Sequence, residues 1–180
     1  MNICVFCASA RNLPQAYERA ARDLGRAIGE EGHTLVFGGF DTGLMGMVAG
    51  AARESGAQVI GVLPCTAGGL GGRPVFACDE LVETCSMAER KAAMAQRSDA
   101  FVALPGSYGT LDELYTVLSE EKLMGGEARP IALFNVEGFY DPLAQLDGRM
   151  IEDGFLAPEK AALYRAFEEL GPLMDYVCKR

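Results

Sequence analysis

Ser86–Glu121 reads SMAERKAAMAQRSDAFVALPGSYGTLDELYTVLSEE, and its pattern is helix, strand, glycine turn, helix. Ser86-Met-Ala-Glu89 fits a capping box, which predicts a helix from Ser86 to about Arg97 carrying Arg90 and Lys91. Ala100–Leu104 is an apolar run of strand length. Pro105-Gly106-Ser107-Tyr108-Gly109-Thr110 then turns the chain into a second helix, with Asp112 and Glu113 expected in its first turn. Free N–H groups at a helix start carry partial positive charge and form a ready anion site. A phosphate on that turn, two cationic side chains nearby and one carboxylate suit a phosphorylated substrate whose reaction develops positive charge.

Outward from this unit the same alternation continues. Asn2–Phe6 reads as a strand followed by the small-residue turn Cys7-Ala8-Ser9-Ala10. Pro14 to Glu31 has helical spacing (Tyr17, Ala20/Ala21, Leu24, Ile28) and stops at Gly32. Thr34–Phe37 is a second strand, followed by Gly38-Gly39-Phe40-Asp41-Thr42-Gly43, and Leu44 to Glu54 a small-residue helix. Gln58–Leu63 is a third strand, and 65–75 is glycine-rich, a loop placed to cover a site. Ile131–Phe134 reads as a fifth strand after Ala100–Leu104, with closing helices over Asp141–Asp153 and Leu163–Val177.

Apolar strands alternating with helices predict an α/β, Rossmann-like parallel sheet with helices on both faces, in a single domain over 1–180. Ligands of such sheets bind beyond the C-terminal strand ends, near a topological switch point. The turns after Phe6, Phe37 and Leu104 can therefore face one crevice.

Composition narrows the chemistry. With 49% hydrophobic and 23% charged residues the chain reads as an ordinary globular protein. A net charge of −9 argues against nucleic acid as a general partner, since binding its phosphate backbone needs a basic surface. Local positive charge must then come from Arg90, Lys91 and a helix N-terminus. MNICVFCASA lacks a basic segment and a long apolar run, so neither a signal peptide nor a membrane span is expected. The six cysteines are scattered rather than framework-like, which predicts a reduced, cytoplasmic protein. Cys4 and Cys7 match C-x-x-C, but in a strand they point to opposite faces and read as buried side chains.

Several chemistries lack their residues. Gly38 to Gly46 is G-G-x-x-x-G-x-x-G, neither the G-x-G-x-x-G dinucleotide fingerprint nor a P-loop, because Leu44 follows Gly43. The single histidine, His33, sits beside Gly32 and reads as a surface turn residue, which removes a Ser-His-Asp triad and a histidine-rich metal site. Structural roles stay open for the candidates themselves. Thr110-Leu-Asp-Glu113 is also a capping box, Arg90 and Lys91 can be solvated helix charges, and Gly106 and Gly109 can simply permit a tight turn.

The chain resembles the "lonely guy" family of cytokinin riboside 5′-monophosphate phosphoribohydrolases, whose members are often labelled lysine decarboxylases. The resemblance rests on Pro105-Gly-Ser-Tyr-Gly-Thr-Leu-Asp-Glu113 and Met87-Ala-Glu-Arg-Lys91, supported by Val5-Phe-Cys7, Gly43-Leu-Met-Gly46, Gly61-Val-Leu-Pro64 and Asn135-Val-Glu-Gly-Phe-Tyr-Asp-Pro142. It implies hydrolysis of the N-glycosidic bond of a purine nucleoside 5′-monophosphate to free base and ribose 5-phosphate, with no metal or organic cofactor.

On that resemblance Arg90 and Glu113 are the expected catalytic residues. Lys91, Gly106, Ser107, Tyr108, Gly109, Thr110, Gly39, Gly43 and Ser9 are the expected substrate-binding residues, and the protein is expected to be a homodimer. The chain departs from the family pattern at Phe40 and Ser107, where glycines are usual, and at Ala8 and Ala10. Phe40 is expected to narrow the base pocket or stack in it. The alternatives are a nucleotide sensor, or a carrier like the molybdenum-cofactor carriers of similar fold. A pyridoxal-phosphate decarboxylase needs a buried Schiff-base lysine, and of the four lysines Lys122, Lys160 and Lys179 sit in polar contexts, leaving Lys91.

Overall fold

A computed structural model describes residues 1–65, 72–124, 128–158 and 163–178. Seven strands, β1 (Asn2–Phe6), β2 (Thr34–Phe37), β3 (Gln58–Pro64), β4 (Glu80–Thr84), β5 (Ala100–Ala103), β6 (Ile131–Phe134) and β7 (Arg165–Phe167), form one sheet. Its order is β4-β3-β2-β1-β5-β6-β7, and every neighbouring pair is parallel. The order reverses at β1, which lies between β2 and β5. The described helices are α1 (Gln15–Glu30), α2 (Gly43–Glu54), α3 (Met87–Gln96), α4 (Tyr108–Met124), α5 (Asp141–Glu152) and α6 (Leu170–Cys178).

Period-two alternation along the central strands divides the core between the two faces. Ile3, Val5, Leu35, Phe37, Ala100 and Val102 pack with Leu24 and Ile28 of α1, Leu44 and Val48 of α2, and Leu173 and Val177 of α6. Cys4, Phe6, Val36, Phe101, Ile131 and Leu133 pack with Ala93 and Met94 of α3 and Leu114 and Val117 of α4. The predicted Rossmann-like sheet with helices on both faces is the fold observed. Cys4 and Cys7 belong to opposite clusters, both essentially inaccessible, and burial pushes both thiols up.

Glycine sets the distance between α1 and α2. A Cβ on Gly25 would lie 2.3 Å from the Val48 carbonyl oxygen, and one on Gly29 would lie 2.7 Å from that of Ala52. The two backbones are therefore in direct contact, which only a residue without a side chain allows.

Three expectations need correcting. Sequence periodicity predicts five strands, but the sheet has two more, β4 and β7, one at each edge. The predicted helix Leu163–Val177 divides into β7 and α6, since Arg165–Phe167 pairs with β6. The helix after the glycine turn starts at Tyr108, so Asp112 and Glu113 lie beyond its first turn. Thr110 is consequently inside α4 rather than at its cap. Residues 66–71 of the predicted covering loop lie outside the described residues, as do Lys160, Lys179 and the side chain of Lys122.

Candidate active site

Three turns at C-terminal strand ends meet beside β1, as parallel topology requires. After β1 come Cys7, Ala8 and Ser9; after β2, Phe40 and the start of α2 with Met45; after β5, Ser107, Gly109 and Thr110. With Pro64, Arg73, Met87, Arg90, Asp112 and Glu113 they line a cavity of about 230 Å³. Backbone bonds lock the turns together: the Ala8 N–H donates to Pro105 O (3.3 Å), and the Leu44 N–H donates to Ala8 O (3.0 Å).

Arg90 is placed by its helix cap. Ser86 Oγ accepts the Glu89 N–H at 3.1 Å, and Glu89 reaches back to the Cys85 N–H at 2.7 Å. The return bond therefore lands one residue before the Ser86 N–H that a standard capping box uses. One turn on, Arg90 enters the protein with only 4% of its surface exposed. Its Nε donates to Val62 O (2.9 Å), Nη2 to Gly38 O (3.3 Å) and Nη1 to Glu113 Oε1 (2.6 Å). The planar guanidinium thus ties the ends of β3 and β2 to α4, and a lysine cannot reproduce that fork.

Glu113 is 6% exposed. The capping role open to it from sequence is not the one observed: Oε1 accepts from Arg90, across to another helix. Glu113 also lines the cavity, so Arg90 holds its carboxylate at the cavity wall. Burial pushes the Glu113 carboxyl up from the ordinary 4.5, and the Arg90 charge pulls against that shift. Thr110 is 3% exposed and contributes to the cavity lining.

The remaining expected residues divide into those that line the cavity and those that shape it. Ser9, Ser107, Gly109 and Thr110 line it. Gly106 does not, but a Cβ there would lie 2.0 Å from Thr110 Oγ1, so the missing side chain leaves room for Thr110. Gly43 (φ +54°) has Ala10 O 2.2 Å from where its Cβ would stand, which lets the Ser9–Ala10 turn settle on α2. Gly39 (φ +79°) adopts a left-handed conformation against Leu63. Two expected residues are not brought to the cavity. Lys91 is paired with Asp112 at 2.7 Å, and Tyr108 is 90% exposed.

Arg73 was missed from sequence. Its segment is stitched to the β2–α2 turn: the Asp41 N–H donates to Pro74 O, the Phe76 N–H donates to Gly39 O, and Phe40 bridges Val75. Arg73 consequently stands over the Phe40 ring at 5.8 Å and donates to Ser9 Oγ at 3.4 Å. A single arginine in a glycine-rich loop was the available signal, without a register to place it.

Residues 45–177 match the family model described as possible lysine decarboxylase. The chain is 45% identical over 164 residues to the probable cytokinin riboside 5′-monophosphate phosphoribohydrolase LOGL9 of Oryza sativa subsp. japonica, covering 90% of this chain and 70% of that protein. It is 42% identical over 190 residues to cytokinin riboside 5′-monophosphate phosphoribohydrolase LOG3 of Arabidopsis thaliana, covering 99% and 86%. Among solved structures, the molybdenum cofactor carrier protein of Chlamydomonas reinhardtii superposes with a TM-score of 0.73, covering 98% of this chain and 94% of that one. At 22% identity that likeness concerns the fold.

Proposed function

This chain belongs to the cytokinin riboside 5′-monophosphate phosphoribohydrolase family, and from that premise we propose that it hydrolyses the N-glycosidic bond of a purine nucleoside 5′-monophosphate. The observation that carries the reading is the buried pairing of Arg90 with Glu113 Oε1 in the wall of the cavity. As the bond from C1′ to the base nitrogen lengthens, the ribosyl group becomes oxocarbenium-like. A fixed carboxylate in a low-dielectric wall stabilises that charge without reorganising. Water then bonds to C1′, giving ribose 5-phosphate and free base. Glu113 supplies the negative charge and orients the attacking water.

The 5′-phosphate sits on the Ser107–Thr110 turn, which lines the cavity, where the α4 N-terminus offers backbone N–H groups and Thr110 its hydroxyl. Arg73 and Ser9 close the opposite wall, and Phe40 borders the base. Arg90 holds Glu113 in register, and its charge favours the ionised carboxylate against the burial that raises its pKa. The family model's description calls for a different chemistry, but a decarboxylase needs a Schiff-base lysine, and Lys91 is not among the lining residues and is ion-paired with Asp112. A homodimer in the cytoplasm belongs to the same reading; no described helix is long and apolar enough to cross a membrane.

The test is product analysis after incubation with adenosine 5′-monophosphate and with adenosine. Free adenine and ribose 5-phosphate from the monophosphate, with adenosine untouched, support both the reaction and the phosphate site. Binding of the monophosphate with no base released would replace this reading with that of a carrier or sensor.

A further inference from the structure

Away from the crevice, three side chains from two segments, the α1–β2 turn and the end of α6, converge at the other end of the sheet. His33, between α1 and the start of β2, reads from sequence as a surface turn residue. Its side chain is instead only 16% exposed, and Nε2 lies 3.2 Å from Cys178 Sγ at the end of α6. Glu31, the residue capping α1, brings Oε2 to 3.6 Å from His33 Nε2 and 3.7 Å from Cys178 Sγ. Among the described residues this is the one cluster of three His, Cys, Asp or Glu side chains able to share a metal ion.

We propose that Glu31, His33 and Cys178 form a binding site for a divalent zinc-type cation. Two hydrogen-bond contacts and one imidazole–carboxylate contact make all three sides of the triangle short. Atoms with these separations lie on a circle of about 2.0 Å radius, so a cation just off their plane is at bonding distance from all three. Tetrahedral zinc with sulfur, nitrogen and oxygen ligands demands ligand–ligand separations of about 3.3–3.6 Å, close to those found. One thiolate, one imidazole and one carboxylate select zinc-type ions over magnesium or calcium, which take oxygen ligands. Cys178 must give up its proton to the solvent on binding, and a water completes the fourth position. The site is structural in consequence: it joins the end of α6 to the α1–β2 turn, with Leu173, Met174 and Val177 already buried beneath it.

The experiment titrates metal-free protein with Zn²⁺ against a chromophoric chelator, and with Co²⁺ while recording the near-ultraviolet and visible spectrum. Expected are one equivalent of Zn²⁺, a thiolate-to-cobalt charge-transfer band, and a higher Tm with Zn²⁺ than with a chelator. His33→Gln and Cys178→Ser should each weaken binding at least tenfold and abolish the Tm increase. The exposed Glu31→Gln keeps the test valid if either of those variants folds poorly, and should weaken binding as well. Absence of stoichiometric binding by the unmodified protein overturns the proposal. So does binding that survives all three substitutions unchanged, which would locate the ion at other thiols such as Cys65 and Cys85.

Discussion

Arg90 Nη1 and Glu113 Oε1 are separated by 23 residues in sequence and 2.6 Å in space, with both side chains almost wholly buried. Burying two charges costs several kcal/mol per ion, and mutual attraction offsets this only when geometry is good and the remaining donors are satisfied. Arg90 meets that condition by donating to Val62 O and Gly38 O as well. Such a pair is a poor device for stability alone, but it holds one carboxylate in one orientation at a cavity wall.

Arg90→Ala therefore leaves a buried carboxylate without its counter-charge. Breaking such a pair costs about 3–5 kcal/mol, so urea unfolding should show a loss of that order together with lost turnover. Arg90→Lys keeps the charge but not the three-way fork and should fall between the two. Unfolding curves of Arg90→Ala that overlay the wild type would show the pair to be energetically idle.

The Glu113 carboxyl titrates above the ordinary 4.5 because it is buried. If the ionised form is the active one, kcat/KM rises with pH through that raised value, and the acid limb lies above the usual carboxylate range. Stability moves the other way. A raised folded-state pKa means that the contribution is present below the unfolded value and lost as pH rises through the folded one. A pH–rate profile with its acid limb at or below 4.5 would contradict this assignment.

Gly106→Ala should impair substrate binding. The new Cβ would stand 2.0 Å from Thr110 Oγ1 and 2.5 Å from Thr110 Cβ, so Thr110 must move off the proposed phosphate turn. Overpacking of this kind costs about 1–3 kcal/mol, and KM for the monophosphate should rise at least tenfold. Steady-state kinetics and thermal unfolding of the same preparation check both effects.

Phe40 borders the cavity with its ring 5% exposed and Arg73 above it. Phe40→Ala should enlarge the base pocket and shift preference toward a base with a bulky N6-substituent. A pocket change of this size is worth about 1–3 kcal/mol in discrimination, roughly ten- to hundredfold in the ratio of kcat/KM values. Competition between adenosine 5′-monophosphate and its N6-isopentenyl derivative measures that ratio. An unchanged ratio would remove Phe40 from the base pocket.

The centre of the sheet was legible because its strands are buried on both faces and read as continuous apolar runs. β4 and β7 escaped for the opposite reason. Edge strands bury little: Glu80, Leu81 and Glu83 are exposed, and β7 is three residues long with Phe167 only partly covered. Leu163, Phe167, Leu170, Met174 and Val177 keep a helical spacing across a strand–helix boundary, so periodicity joined two elements into one. The convergence of Arg90, Thr110 and Glu113 followed from the parallel topology. That Glu113 bonds to Arg90 rather than capping its own helix depends on where α4 begins, and a capping-box motif does not resolve a shift of three residues. Arg73 and the ion-paired state of Lys91 arise from long-range contacts for which local sequence carries no pattern.

In the proposed reaction the Glu113 carboxylate, held at the cavity wall by Arg90, stabilises the ribosyl cation as the base departs. The most direct test of that role compares Glu113→Gln with the wild type for base release from adenosine 5′-monophosphate and, separately, for equilibrium binding of that nucleotide. Gln keeps the shape and an oxygen for Arg90 but loses the charge. In Glu113→Gln kcat should fall at least a hundredfold while Kd changes by less than tenfold. Wild-type kcat in Glu113→Gln would contradict that role.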